Sequence, residues 1–252
     1  MIPEKWGRSI LGIDPPPRKG REDMSKRIIT LALLVVSAAM FALPAAAGAT
    51  PLHISSTGAF TIKAGTGTLS TTSGTTIHCV EGTGSGSITT TTTGAVQLAL
   101  GTCSAALFGV ADHCQSTAQP GAVTETGIIR STPLTTHYIT ANETTTKDPA
   151  LLLTPSATTP TTFAHVECET AFGNINFAIE GNGLIGRIKS PACGGRSKTA
   201  TIDFNATAHG VQELTSSTGV TYSVTKSGEK AALDAEATIT FTDGVERTLT
   251  CT

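Results

Sequence analysis

The stretch Ala95-Val96-Gln97-Leu98-Ala99-Leu100 alternates larger apolar residues with small or polar ones, and this alternation decides the fold. Its large apolar side chains share one face of an extended chain, because successive side chains on a strand point to opposite sides. The same period of two recurs in Phe60/Ile62, Ile77/Cys79, Leu134–Ile139, Leu151–Leu153, Ile175/Phe177/Ile179, Ala200/Ile202/Phe204, Val220/Tyr222/Val224, Ala237/Ile239/Phe241 and Leu249/Cys251. Turn-forming Gly, Pro, Asn or Asp lies between most of these segments. We therefore expect an all-β domain of about a dozen short strands, an antiparallel β-sandwich or barrel-like domain.

A secretory leader begins at Met24 rather than at residue 1. Met24 is followed by a basic pair, an apolar stretch from Ile28 to Leu43 and a run of small residues. This order is that of a signal peptide, with cleavage expected after Ala47 or Ala49. The alternative is an uncleaved anchor, because the apolar segment extended to Ala49 approaches the ~20 residues that cross a bilayer.

The leader divides the chain into three parts. Residues 1–23 are interpreted as a non-native or disordered N-terminal extension, residues 24–49 as the signal peptide, and residues 50–252 as a secreted β-rich domain. We expect an extracellular or cell-surface protein with no stable membrane span once the leader is cleaved. A retained leader would instead give a membrane-tethered ectodomain.

Charge and composition limit the partners of the exported part. Residues 50–252 carry 10 of the 17 basic and 15 of the 19 acidic side chains of the chain, a net charge of −5. Nucleic acid is therefore not an expected partner, since its binding depends on Lys and Arg that neutralise phosphates. The abundant Thr and Ser are also typical of disordered stalks, but a solvated linker needs no apolar period of two.

The cysteines predict structural disulfides, because all six lie beyond the leader in a chain delivered to an oxidising compartment. They are Cys79, Cys103, Cys114, Cys168, Cys193 and Cys251. Sequence alone cannot choose among the fifteen pairings. A Cys103–Cys114 bridge is favoured because it closes a short loop, with Cys79–Cys168 and Cys193–Cys251 as long-range bridges. The Cys79–Cys103 and Cys168–Cys193 segments have similar spacing, so a degenerate duplication and coincidence both stay open.

Two motifs suggest bound groups, and neither is supported by its surroundings. His78 and His113 each adjoin a cysteine and His165 precedes another by three, but neighbouring strand residues face opposite sides, so we expect no metal. The run from Gly181 to Gly186 matches G-x-G-x-x-G, yet the proline and paired glycines that follow exclude the helix that would hold a pyrophosphate. We interpret this run as a turn between antiparallel strands and expect no cofactor.

Catalytic motifs such as the nucleophile elbow and H-E-x-x-H do not occur in the sequence. The acidic candidates are Glu143, Glu167, Glu169, Glu180 and Asp203. A cavity that brings two of these carboxylates together would favour a carbohydrate-active or other hydrolase. A sugar-binding module is another alternative, but residues 50–252 contain no Trp and only Tyr138 and Tyr222, a thin platform for stacking sugar rings.

Several phrases within residues 75–190 resemble those of a large group of secreted proteins of unknown function from soil actinobacteria. The phrases are Ile77–Cys79, Gly84–Gly86, Val96–Cys103, Asp112–Cys114, Phe163–Cys168 and Ile179–Gly186. The resemblance implies an exported β-rich domain and supplies no catalytic or binding residues. Cys193 and Cys251 fall outside it.

These observations lead to one expectation and one alternative. We expect a secreted or cell-envelope-associated, non-enzymatic β-domain with a structural or binding role toward an extracellular or envelope ligand that the sequence does not identify. The alternative is an extracellular hydrolase that uses carboxylates at strand ends.

Overall fold

The computed structural model describes residues 52–107, 110–117, 123–143, 146–156, 161–171, 173–205, 215–216 and 223–251. These residues form strands joined antiparallel throughout, which confirms the expected all-β class. The predicted N-terminal extension at 1–23 and the predicted leader at 24–49 lie outside the described ranges. Within those ranges there is no helix with the length and apolar character needed to cross a membrane.

Eighteen strands are described. In chain order they are β1 (His53–Ile54), β2 (Gly58–Thr71), β3 (Thr76–Ile88), β4 (Thr93–Leu107), β5 (Val110–Thr117), β6 (Val123–Glu125), β7 (Ile128–Arg130), β8 (Leu134–Glu143), β9 (Thr146–Pro155), β10 (Thr162–Thr170), β11 (Gly173–Gly181), β12 (Leu184–Ser190), β13 (Arg196–Ser197), β14 (Thr199–Phe204), β15 (Thr215–Ser216), β16 (Val224–Lys226), β17 (Glu229–Phe241) and β18 (Arg247–Thr250).

The longest strands form a wall, and shorter strands close a ring on each half of it. The wall has the order β4-β3-β2-β17. In the first ring, β8, β9, β12 and β14 continue from β4, and β14 pairs with β17 to close the circle. In the second ring, β5, β10, β11 and β16 lead from β4 back to β17. Closure removes the exposed edges that an open sheet would present along these strands.

The two rings use different lengths of the same wall strands. On β4, Thr93–Val96 pairs with β8 and Cys103–Leu107 pairs with β5. On β17, Ala235–Thr240 pairs with β14 and Glu229–Ala231 pairs with β16. The barrel-like expectation is thus met by two eight-stranded rings that share four strands.

On β2 and on β3, two successive residues are exposed at the point where the strand passes from one ring to the other, and each pair interrupts the alternation of buried and exposed side chains. They are Gly65–Thr66 on β2 and Val80–Glu81 on β3. The extra residue shifts by one the positions whose side chains point inward. Apolar side chains on both halves of each strand can therefore face a ring interior. This explains why Val80 is 51% exposed while its neighbour Cys79 is buried.

One apolar core runs through both rings. In the first ring it includes Phe60, Val96 and Ile239, and in the second it includes Ile77 and Val166, all less than a tenth exposed. These residues occupy the positions that the period of two assigns to one face, because inward positions of a closed ring are filled by side chains.

One detail of the sequence interpretation changes. The Gly181–Gly183 segment does not join paired strands, because β11 pairs with β10 and β16 whereas β12 pairs with β9 and β14. The segment is instead a connection between the two rings. Of the predicted strand Val220/Tyr222/Val224 only Val224 is described, at the start of β16, and the rest of that prediction lies outside the described residues.

Candidate functional site

Four cysteines form a continuous row across the second ring. In the strand register, Cys79 on β3 lies opposite Cys103 on β4. Cys103 lies opposite Cys114 on β5, and Cys114 lies opposite Cys168 on β10. All four are buried, with at most 3% of each residue exposed. The row places sulfur atoms at one level of the ring interior, where they also contribute to the core.

The pairing within this row corrects the sequence prediction. The bridges are Cys79–Cys103 and Cys114–Cys168, so the predicted Cys103–Cys114 and Cys79–Cys168 bridges are wrong. Cys79 and Cys168 lie at opposite ends of the row, so they cannot bridge each other directly. Loop length was therefore the wrong criterion. The strand register also places Cys103 opposite Cys114, but a bridge between them would leave Cys79 and Cys168 unpaired at the two ends of the row.

The third bridge lies elsewhere and is confirmed. Cys193 is bonded to Cys251 and fastens the small β1-β18-β13 sheet, in which the Gly194 amide donates to the Leu249 carbonyl (2.7 Å). All six cysteines are in disulfides. Cys168 and Cys193 belong to different bridges, whereas Cys79 and Cys103 bond to each other, so the two similarly spaced segments are not structurally equivalent.

The histidines lie away from the sulfur atoms. His78 and His113 are exposed on the outer face, on either side of Ser104 in the strand register, while the adjoining cysteines face inward. The His78 ring hydrogen-bonds to the Thr68 hydroxyl through Nδ1 (3.2 Å). No group of three His, Cys, Asp or Glu that could hold a metal ion occurs among the described residues.

The candidate acid Asp203 belongs to an ion-pair cluster on the outer face of the first ring. Lys189 Nζ lies 2.8 Å from Asp203 Oδ2 and 3.0 Å from Glu236 Oε2. Hydrogen bonding to Asp203, and then to Glu236, raises the pKa of the Lys189 ammonium. Both carboxylates therefore share one cation, an arrangement typical of structural ion pairs.

The remaining candidate acids lie along the second ring or outside the described side chains. Glu167 and Glu169 share the outer face of β10, where Glu167 is only 3% exposed and is the register partner of the buried Gln115 on β5. Glu180 lies at the far end of β11 and is the partner of Thr162. Glu143 ends β8, and its side chain is outside the described part of the structure.

Two glycines of the G-x-G-x-x-G run, Gly181 and Gly186, allow close packing. A Cβ atom at Gly181 would lie 2.2 Å from the Ser223 carbonyl oxygen, and one at Gly186 would lie 2.6 Å from the Phe204 ring. Strand β12 begins at Leu184, so the helix N-terminus that the dinucleotide fingerprint requires is replaced by a strand. Asn182 also anchors this connection, because its Oδ1 accepts from the Ser223 amide (2.7 Å).

Arg247, which the sequence analysis did not identify, is the largest fully buried side chain described. Its guanidinium forms a bidentate pair with Asp243 (3.0 and 2.7 Å) and donates to the carbonyls of Ser56, Thr57 and Val245. The five N–H donors of arginine are thereby all used. The hydrogen bonds from Arg247 lower the pKa of Asp243 to about 2.

The Arg247 guanidinium also stacks over the Phe241 ring at 4.1 Å from its centroid. Arg247 thus ties the segment before β2 to the turn between β17 and β18. The only sequence signal was the Thr242-Asp243-Gly244 turn, which places a carboxylate four residues before the arginine.

Two apolar cavities occupy the ring interiors. The larger, about 110 Å³, lies mainly in the second ring, and the smaller, about 60 Å³, lies in the first. They share the side chains of Leu98, Leu100 and Leu153 as a dividing wall. Glu167, Glu169, Glu180 and Asp203, the candidate acids whose side chains are described, line neither cavity.

The smaller cavity has polar groups that the larger one lacks. Thr136 lines it, and its buried Oγ1 has no hydrogen-bond partner among the described residues. Tyr138 also lines it, and burial raises the pKa of this phenol far above its ordinary value. The larger cavity has the more space for a ligand, and we take it as the candidate functional site of this chain.

The chain has no match among protein-family models, curated proteins or solved structures.

Proposed function

We propose that this chain is an exported or cell-envelope-associated β-domain that acts by binding a ligand and carries out no catalysis. The observation that supports this most directly is the use of all six cysteines in disulfides behind a leader-like N-terminus. Disulfides persist in oxidising compartments outside the cytoplasm. The resemblance to secreted actinobacterial proteins points to the same location.

The positions of the polar and apolar groups support the proposed binding role. Asp203 shares Lys189 with Glu236 on the outer face, whereas the ring interiors are apolar and contain unfilled space. A binding site is commonly a concave, mostly apolar cavity with few polar groups. The larger cavity matches that description, and the candidate acids with described side chains lie elsewhere.

The location is tested by N-terminal sequencing and thiol counting on protein recovered from the culture medium or envelope. We expect a first residue just after Ala47 or Ala49 and no free thiol before reduction. Recovery of a cytosolic protein that retains Met24 and has reduced cysteines would refute the proposal.

A hydrolase remains the second candidate function, and the pair on β10 is the observation that favours it. Glu167 and Glu169 lie two residues apart on one face, about 7 Å along the strand, close to the carboxylate spacing of inverting glycosidases. Secreted protein would then cleave a chromogenic glycoside, and Glu167→Gln would abolish the cleavage while Glu180→Gln would not. Under the binding proposal none of these proteins cleaves the substrate.

A further inference from the structure

The larger cavity is a void that the fold keeps inside its second ring. We propose that it binds a compact apolar molecule of about the size of benzene. This inference rests on the binding role proposed above and names the ligand class for that role.

The lining excludes a polar ligand. It is made by aliphatic and aromatic side chains from both rings, among them Leu69, Ile77, Leu100, Val166, Ile179 and Leu233. Among the described lining residues the hydroxyl belongs to Ser131, and its Oγ already accepts a hydrogen bond from the Leu98 amide (2.9 Å). A buried water needs two to four polar partners, and an apolar cavity of this kind stays dry.

The volume limits the size of the ligand. A cavity of about 110 Å³ is somewhat smaller than the ~150 Å³ apolar cavity that is known to admit benzene or xenon. A compact molecule therefore fits after small movements of the lining, whereas a long acyl chain exceeds the space. Close-packed interiors rarely keep a void larger than a water molecule, so a ligand of this shape would restore contacts that the empty ring lacks.

The dividing wall gives the site its selectivity. Leu98, Leu100 and Leu153 separate the larger cavity from the smaller one, where the Thr136 hydroxyl and Tyr138 are found. The smaller cavity, about 60 Å³, is less than half of the ~150 Å³ apolar cavity that is known to admit benzene. Benzene should therefore enter the larger cavity, with Leu69 and Val166 as contacts, and leave Ile62 of the smaller cavity unaffected.

The test is a benzene titration of the full, oxidised domain, followed by ¹³C-methyl NMR. We expect saturable shifts of the Leu69 and Val166 methyl signals with no change at Ile62. Ala164→Leu places a larger side chain in the lining of the larger cavity and should weaken benzene binding by about tenfold or more. Ala95→Leu adds the same atoms at an exposed position on the outer face of β4 and should leave binding unchanged.

Three results would overturn the inference: no methyl shift at saturating benzene, shifts confined to Ile62, or equal affinity in Ala164→Leu and the unaltered protein. If Ala164→Leu does not fold, xenon-pressurised crystals of the unaltered protein replace it. A xenon atom beside Leu69 and Val166 supports the site, and its absence refutes it. Export is tested separately from benzene binding. A cytosolic protein that binds benzene would refute only the proposed location, and an exported protein that does not bind benzene would refute only this inference.

Discussion

Removing the Cys193–Cys251 bridge should cost about 4 kcal/mol of unfolding free energy. The bridge closes a loop with a sequence separation of 58, and the loop-closure relation converts that length to about 4 kcal/mol at 25 °C. Cys193 is exposed and Cys251 is half-buried, so the double variant Cys193→Ala/Cys251→Ala loses little packing. The loss is large beside the 5–15 kcal/mol that stabilises an ordinary domain.

The assay is urea unfolding without reductant, followed by far-UV circular dichroism. Hydrogen exchange at the Leu249 amide, which donates to the Gly195 carbonyl in the small sheet, should accelerate in the double variant. The matched control is Cys79→Ala/Cys103→Ala, whose separation of 24 predicts about 3.5 kcal/mol from loop closure. Both of these cysteines are buried, so the control should lose further stability through the cavities left behind.

A loss below about 1 kcal/mol in Cys193→Ala/Cys251→Ala would refute the loop-closure reasoning. It would mean that packing alone holds the C-terminal strand. A control that is less destabilised than the loop-closure value would contradict the burial argument for the cysteine row.

Arg247→Met keeps an apolar stem but leaves three backbone carbonyls without their hydrogen-bond donor. The unfolding free energy measured in urea should therefore fall by about 2–3 kcal/mol. An unchanged value would contradict the structural role of the guanidinium. Because the pKa of Asp243 is lowered in the folded protein, its carboxylate contributes its full stabilisation above the ordinary pKa of 3.8. This stabilisation is lost as the pH falls through about 2. The melting temperature should therefore drop more steeply over that range in the unaltered protein than in Asp243→Asn, and parallel curves would disprove the assignment. Gly186→Ala forces a methyl group against the Phe204 ring and should lower the unfolding free energy by about 1–3 kcal/mol in the same urea assay. Gly65→Ala, with open space around it, should leave the unfolding free energy unchanged. Equal effects of the two substitutions would contradict the packing account.

The class of the fold could be predicted from the sequence because period-two alternation is a local property. Val96 illustrates this, since its inward position follows from the residues around it. Ring closure could not be predicted, because β14 and β17 meet only through pairing between distant segments such as Ile202 with Ala237. The paired exposed residues at Val80–Glu81 were visible as a break in the alternation, but only the register shows that the break marks the passage between rings.

The candidate site was the least predictable part. Acidic residues attracted attention because carboxylates carry recognisable chemistry, yet Asp203 is held in a surface ion-pair cluster. A cavity between aliphatic side chains has no sequence signature, since Leu100 lining a void and Leu52 filling a core look alike in the sequence. Arg247 was missed for a related reason, because its burial depends on carbonyl groups about 190 residues away in the sequence.

Disulfide mapping by mass spectrometry of the native, unreduced protein tests the central claim most directly. The account of two rings that share a wall predicts Cys79–Cys103, Cys114–Cys168 and Cys193–Cys251, with no free thiol. A peptide pair joined through Cys103 and Cys114, or unpaired cysteines in exported material, would contradict it.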